Sequence, residues 1–333
     1  MYEMIIKTQR ENVKINSITI EGAAPMPALY VCLMLLTSLL WGGNFVVGKS
    51  LVEHASPVAL TAFRWIIAVI FLLPIVLRKE KKLLPPAKSL VPLILIGITG
   101  VVLFNIFQFW ALEETTATNV GLISTLNAIS IAVFSAIFLK DRINLPQILT
   151  MMFSLFGVLL VLTKGHLEML LSLTFNKGDL WMLAAVCIWG IYSILGKWAG
   201  KYTSPILSTF YSGIFGLAFL LPFSYSDLQI KNPDLSFAGS MLYTGLISTV
   251  VCMVLWNKGV QKIGAVTAGV FLNFNPVFTA ILAFLLLGEK LEAIQFLGGM
   301  IVILGCYLFT RLQAQRQRKS LRGKPEASIT AID

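Results

Sequence analysis

The side chains of this sequence that are placed to do chemistry are amides and indoles. The chemistry they suit is recognition of a polar molecule rather than bond making. Trp41, Asn44 and Gly48 fall at i, i+3 and i+7, one face of a helix, and Trp189, Tyr192 and Gly196 recreate that face later in the chain. Asn119, Ile123 and Asn127 stand at i, i+4 and i+8, and Thr267, Phe271 and Asn275 repeat the spacing. Gln108 adds a further amide three residues after Asn105, and Trp256 a further stacking wall three residues after Met253. Amides both donate and accept, which suits a polar zwitterion that must bind and then leave. Plainer readings stand beside these: an interfacial tryptophan belt, glycines for close helix packing, and asparagines that only hydrogen-bond between helices.

Arg64 is the one charge inside an apolar stretch. It lies about 10 Å from the outer end of that stretch at 1.5 Å per residue. From there it either snorkels toward headgroups, makes a structural pair, or contacts a carboxylate or phosphate. Pro276 has no N–H and frees the carbonyl of Leu272, which predicts a break in the helix around Asn275. Asn273 points away from Asn275 and could satisfy that break.

No Asp or Glu falls in the middle of an apolar stretch: Glu113, Glu114, Asp141 and Glu289 sit at the ends, the last two expected to cap or pin the following helix. His54 and His166 fall in outer loops. This argues against a buried proton switch and favours uniport or facilitated export. Cys32, Cys187, Cys252 and Cys306 lie in apolar segments without CxxC pairing, so neither a disulfide framework nor a metal site is expected, and no cofactor is implied. Gly43 to Ser50 satisfies the phosphate-loop pattern GxxxxGK[ST], but that motif needs a strand before it and a helix after it. Here it ends an apolar stretch, and we read it as coincidence.

The elements that must position these residues follow from composition. Of 333 residues, 57% are apolar and only 13% charged, with a mean hydropathy of +0.82. A soluble domain carries about a quarter charged residues, and disordered chains are richer in charge still. A polytopic membrane protein remains. Apolar stretches fall at about 28–48, 57–77, 90–112, 116–139, 145–163, 179–199, 204–224, 237–257, 264–287 and 292–311, each long enough to cross a bilayer as a helix. Lys and Arg number 20 in the connections on the side of the N-terminus and five on the other. By the positive-inside rule both termini are then cytoplasmic. The net charge of +10 thus reports topology and calls for no nucleic acid. The basic tail from Arg311 to Lys324 would also attract anionic lipid headgroups. Residues 1–27 lack the pattern of a secretory signal, so the first stretch would serve as an uncleaved anchor.

The chain also repeats itself at an offset of 148 residues. Trp41-Gly42 and Gly48-Lys49 return as Trp189-Gly190 and Gly196-Lys197, Ser56-Pro57 as Ser204-Pro205, and Asn127 as Asn275. Each copy holds five spans, an odd number, so the second must enter the membrane in the opposite sense. This gives a cytoplasmic tail at 1–27, a first five-helix unit at 28–163, an external linker at 164–178, a second unit at 179–311 and a basic cytoplasmic tail at 312–333.

Two tandem five-span units with W-G-x-x-x-x-x-G-K in the first span resemble the drug/metabolite transporter superfamily, specifically its EamA-type members. Ala111-Leu112 with Thr116-Ala117, and Asn275-Pro276 with Leu287-Gly288-Glu289, add to the likeness. The resemblance implies an all-α membrane protein of ten helices in two inverted repeats. It also implies a central cavity between spans 1, 3, 4, 6, 8 and 9, and export of amino acids, other small metabolites or toxic compounds from a bacterium. Ala128 stands where the second copy has Pro276, so span 4 is expected to be less broken than span 9. The reading is therefore a non-enzymatic secondary transporter of a bacterial cytoplasmic membrane, with a small-molecule substrate and lipid around it. One chain suffices to enclose a pathway, and nothing in the sequence excludes a dimer. The competing readings are a membrane enzyme on a lipid-linked substrate and a non-transporting sensor or scaffold.

Overall fold

The computed structural model describes residues 28–141, 143–166, 176–224, 227–287 and 292–322. Among the described residues, ten helices are long and apolar enough to cross a membrane. Spans 1 to 5 are Ala28–Leu51, Pro57–Lys79, Ala87–Glu114, Asn119–Phe138 and Leu145–Thr163. Spans 6 to 10 are Lys177–Ala199, Pro205–Pro222, Leu235–Ile263, Ala265–Leu282 and Ala293–Arg316. The chain is all-α apart from one antiparallel bridge among the described residues, Ala55 with Ile230, which ties the loop after span 1 to the loop before span 8. The N-terminal tail, residues 167–175 of the linker, Glu289 and Lys324 lie outside the described residues.

The helices start where polar side chains can take their free N–H groups. Ser56 accepts from Ala59 ahead of Pro57 at the first position of span 2, and Asn144 and Asn176 form reciprocal caps with Gln147 and Asp179. The cap on Asn176 starts span 6 at Lys177, two residues before the apolar run. Asp141 does not cap span 5; it accepts from the Ser135 hydroxyl at 2.6 Å and pairs with Lys197 of span 6 at 3.4 Å. The last helix runs on to Arg322, beyond its apolar part, through residues with good helix propensity. Large apolar side chains such as Ile70, Ile137, Phe138, Leu149, Phe296 and Tyr307 point outward, as a lipid-facing surface requires.

The two halves pack by exchange. Span 1 lies against spans 8 and 9, and span 6 against spans 3 and 4; span 2 meets spans 7 and 8, and span 7 meets spans 2 and 3. Spans 5 and 10, equivalent to each other, pair together. The interruptions are matched too. Spans 3 and 8 each contain a π-helical stretch, Gly97–Leu103 and Tyr243–Val251, ending at equivalent residues. A π turn displaces the usual i→i−4 bonds and leaves carbonyls to be satisfied from elsewhere. In span 3 the Asn105 amide takes those of Gly100 and Val101, at 2.8 and 2.9 Å. In span 8 the indole N–H of Trp41 donates to the carbonyl of Ser248 at 2.9 Å. Replacing Asn105 by alanine removes both of these buried bonds, so we expect a loss of about 1–3 kcal/mol, read as a lower melting temperature in detergent. A variant melting with the wild type would remove this role from Asn105.

Spans 4 and 9 are broken at equivalent depth. Span 9 passes through a 3₁₀ turn, Phe271–Asn273, and Pro276 sits in the first turn of the helix that resumes at Phe274. The Phe271 carbonyl accepts from Ser38 of span 1 at 2.7 Å, and the Asn273 amide reaches Ser154 of span 5 rather than the broken backbone. Span 4 is no less broken, contrary to expectation: its helix stops at Ser124 and restarts at Asn127 with no proline present. The hydroxyls of Ser124 and Thr125 donate to the carbonyls of Gly121 and Leu122, both at 2.7 Å, offering the backbone an alternative to the helical ladder.

Candidate binding cavity

The interrupted helices surround a narrow central cavity of about 40 Å³. Span 1 contributes Trp41, Asn44 and Phe45, and span 3 contributes Gly100, Phe104, Asn105 and Gln108. Asn127, Trp189 and Met253 come from spans 4, 6 and 8, and Leu272 and Asn275 from span 9. Span 2 joins them with Arg64 and Trp65, which widens the ring of helices that the family resemblance implied.

Arg64 does not snorkel. It is 5% exposed and turns inward, donating from Nε to the Thr249 hydroxyl at 2.5 Å and from Nη2 to the Ser248 hydroxyl at 2.9 Å. Ser248 in turn donates to Asn44 Oδ1 at 2.7 Å. Gly245 permits this approach, because a Cβ there would stand 2.7 Å from Ile67 and 3.3 Å from the Arg64 carbonyl, both on span 2. The π stretch of span 8 is thereby seated on span 2 with Ser248 and Thr249 against the guanidinium.

Around the cavity, polar atoms lack hydrogen-bond partners among the described residues. They are Arg64 Nη1, Trp65 Nε1, Gln108 Nε2 and Trp189 Nε1 as donors, and the Oδ1 atoms of Asn105, Asn127 and Asn275 as acceptors. Buried polar groups are almost always paired, and leaving one unpaired costs about 1–3 kcal/mol, so seven around one small space mark it as built to hold something polar.

The aromatic part forms one cluster. Trp41, Trp189 and Trp256 meet pairwise at centroid distances of 5.4, 5.4 and 5.8 Å, with Phe104 and Tyr192 on Trp189 at 4.7 and 4.9 Å. Only Trp41, Trp189 and Phe104 of these reach the cavity; Trp256 and Tyr192 stand behind them. The Tyr192 hydroxyl donates to Asn257 Oδ1 at 3.1 Å, and the Asn257 amide to the Thr209 hydroxyl at 3.0 Å. This chain ties spans 6, 8 and 7 into a floor between the cavity and a polar vestibule of about 350 Å³ at the basic end of the bundle, where Lys197, Asp141 and Arg316 lie. On the opposite side a cavity of about 120 Å³ between spans 1, 4 and 9 shares Phe45 and Asn275 with the central one.

Of the residues singled out by spacing, Trp41, Asn44, Gln108, Asn127, Trp189, Asn275 and Arg64 line the central cavity. Pro276 lines the neighbouring cavity. Asn119 does not reach either; its amide donates to Thr115 at the outer end of span 4. Phe271 is buried against Phe274. Gly48 packs on Leu112 and Phe109 of span 3 instead of facing the cavity. Lys49, the lysine of the phosphate-loop pattern, donates to the carbonyls of Leu112 and Thr115 at the end of span 3, where a cation satisfies unpaired carbonyls. Spacing alone did not single out Phe45, Trp65, Phe104 or Leu272. Phe104 could have been found as the residue one turn before Gln108, and Trp65 as the neighbour of the intramembrane charge.

Comparisons with known proteins agree with this architecture. The family model described as the EamA-like transporter family matches residues 28–163 and again 176–311. An uncharacterized transporter of Archaeoglobus fulgidus is 31% identical over 288 residues, covering 85% of this chain and 98% of its own. The uncharacterized transporter YyaM of Bacillus subtilis is 30% identical over 285 residues, covering 84% and 93%. A protein of Chlamydia trachomatis named an S-adenosylmethionine/S-adenosylhomocysteine transporter is 22% identical over 298 residues, covering 85% and 90%. A solved crystal structure superposes with a TM-score of 0.69 at 19% identity, over 86% of this chain and 98% of that one, and shares the fold.

Proposed function

This chain belongs to the EamA-like transporter family, and from that premise we propose that it is a secondary transporter exporting small polar or amphipathic metabolites, amino acids and related compounds among them, from a bacterial cell. The observation that carries the reading is the central cavity, where seven buried polar atoms without partners and an aromatic wall meet among the broken helices. Irregular backbone at membrane depth is tolerated where it lines a cavity or is buried in protein, and transporters built from inverted repeats bind at such sites. The exchange packing of the two halves supports alternating access: each half can adopt the other's arrangement, moving the opening from one face to the other. The excess of Lys and Arg at one end supports cytoplasmic termini, and the basic helix end from Arg311 to Arg322 would lie against anionic headgroups.

The test is efflux from liposomes holding the purified protein. The pool inside contains amino acids, S-adenosylmethionine and small metabolites, and mass spectrometry follows what leaves, with and without a pH gradient. Selective loss is expected, and Trp41→Ala with Asn275→Ala should abolish it. Rates no faster than from empty liposomes for every compound would reject the reading.

A further inference from the structure

We propose that Arg64 anchors a carboxylate, so that the molecules this protein moves each carry one. The inference rests on the transport reading above and deepens it. Its basis is an imbalance of charge. Arg64 is buried in the middle of the bundle, and none of the cavity-lining residues is acidic. The single ion pair among the described residues, Lys197 with Asp141, lies at the basic end of the bundle. Three hydroxyl or amide groups hold the guanidinium side chain in place without neutralising it: Thr249 and Ser248 accept from it, and Asn44 fixes Ser248. Nη1 is left at the cavity wall with no partner. A cation desolvated in this way is stabilised by an anion brought to it, and a carboxylate matches the guanidinium in both charge and geometry.

The rest of the lining narrows the class. One positive charge is matched by one negative charge, which favours a carboxylate over a dianionic phosphate. Trp65, Gln108 and Trp189 offer further donors, while the Asn105, Asn127 and Asn275 oxygens accept from an N–H or O–H elsewhere on the molecule. The indole faces of Trp41 and Trp189 suit an apolar or aromatic body.

The experiment uses the full chain in detergent and four small probes that differ in charge: propionate, propionamide, propylammonium and inorganic phosphate. Tryptophan fluorescence is the readout, since Trp41, Trp65 and Trp189 line the site. Propionate should give a saturable change that propionamide and propylammonium do not. Arg64→Gln should weaken propionate about 10- to 100-fold, the loss of a charge-assisted hydrogen bond, with Arg64→Lys in between. The comparison of probes on the wild type needs no variant, so a misfolded Arg64→Gln would not spare the proposal. An equal response to propionamide, a stronger one to phosphate, or no saturable response to propionate would overturn it. Efflux of compounds without carboxylates would remove the anchor and leave transport standing. Saturable propionate binding with no efflux of any compound would do the reverse.

Discussion

Trp189→Ala is expected to stop flux entirely and to lower the melting temperature more than any other single change at the cavity. The indole touches Trp41, Phe104, Tyr192 and Trp256, so it is the common member of the aromatic cluster and the only contribution of span 6 to the cavity wall. Truncating a buried tryptophan costs about 3–5 kcal/mol through lost burial and an unfilled space. The functional loss should exceed the structural one, because the four rings around the space would collapse into it and take the wall with them. Trp189→Phe separates the two effects. It keeps a ring against Phe104 and Tyr192 but removes the unpaired Nε1, so it should recover most of the melting temperature while altering which compounds leave. Full flux in Trp189→Ala liposomes would show that the aromatic cluster is packing alone.

The second large effect is expected at a residue with no side chain. A Cβ on Gly100 would stand 2.2 and 2.5 Å from two ring carbons of Tyr192, well inside contact distance. Tyr192 has little room to retreat: its ring lies against Trp189, its hydroxyl is held by Asn257, and it is almost wholly buried. Gly100→Ala should therefore cost about 1–3 kcal/mol or more, as overpacking does, and push the ring off Asn257. The bond it breaks belongs to the floor between the cavity and the basic vestibule, so a leak at that end is expected as well. Cysteine-reactive probes at Thr267→Cys, which lines the vestibule, would not sense it, whereas Leu272→Cys on the cavity side would become reactive from the basic end. Combining Gly100→Ala with Tyr192→Val should restore stability beyond the sum of the single changes, since the two residues are in direct contact. Additive effects would place the damage elsewhere.

Much of this arrangement is legible in the sequence. Ten apolar stretches and an offset that aligns Trp41 with Trp189 and Asn127 with Asn275 follow from residue types alone, because lipid forces long helices and a duplication leaves its register behind. What spacing could not resolve was depth. Trp41 and Trp256 both belong to patterned faces, yet one forms the wall and the other its backing, and only the packing of spans 1, 6 and 8 decides which. The direction of Arg64 was open for a related reason: its partners Ser248 and Thr249 are 184 and 185 residues away, on a stretch whose π geometry has no signature in sequence. The break in span 4 has no proline to announce it in the sequence: Ser124 and Thr125 achieve it with hydroxyls.

The paired π stretches also carry a history. A π turn is in effect one residue inserted into an α-helix, and such an insertion rotates everything beyond it on the helix surface. Spans 3 and 8 carry theirs at equivalent positions, both ending where Leu103 and Val251 align, and the two halves match without a gap. Two separate insertions would have had to strike the same register in both copies. One insertion in a shorter ancestor, copied when the gene doubled, accounts for both. The five-helix unit that was duplicated therefore already had its π stretch in the third helix, and with it the buried carbonyls that Asn105 serves in one half and Trp41 in the other.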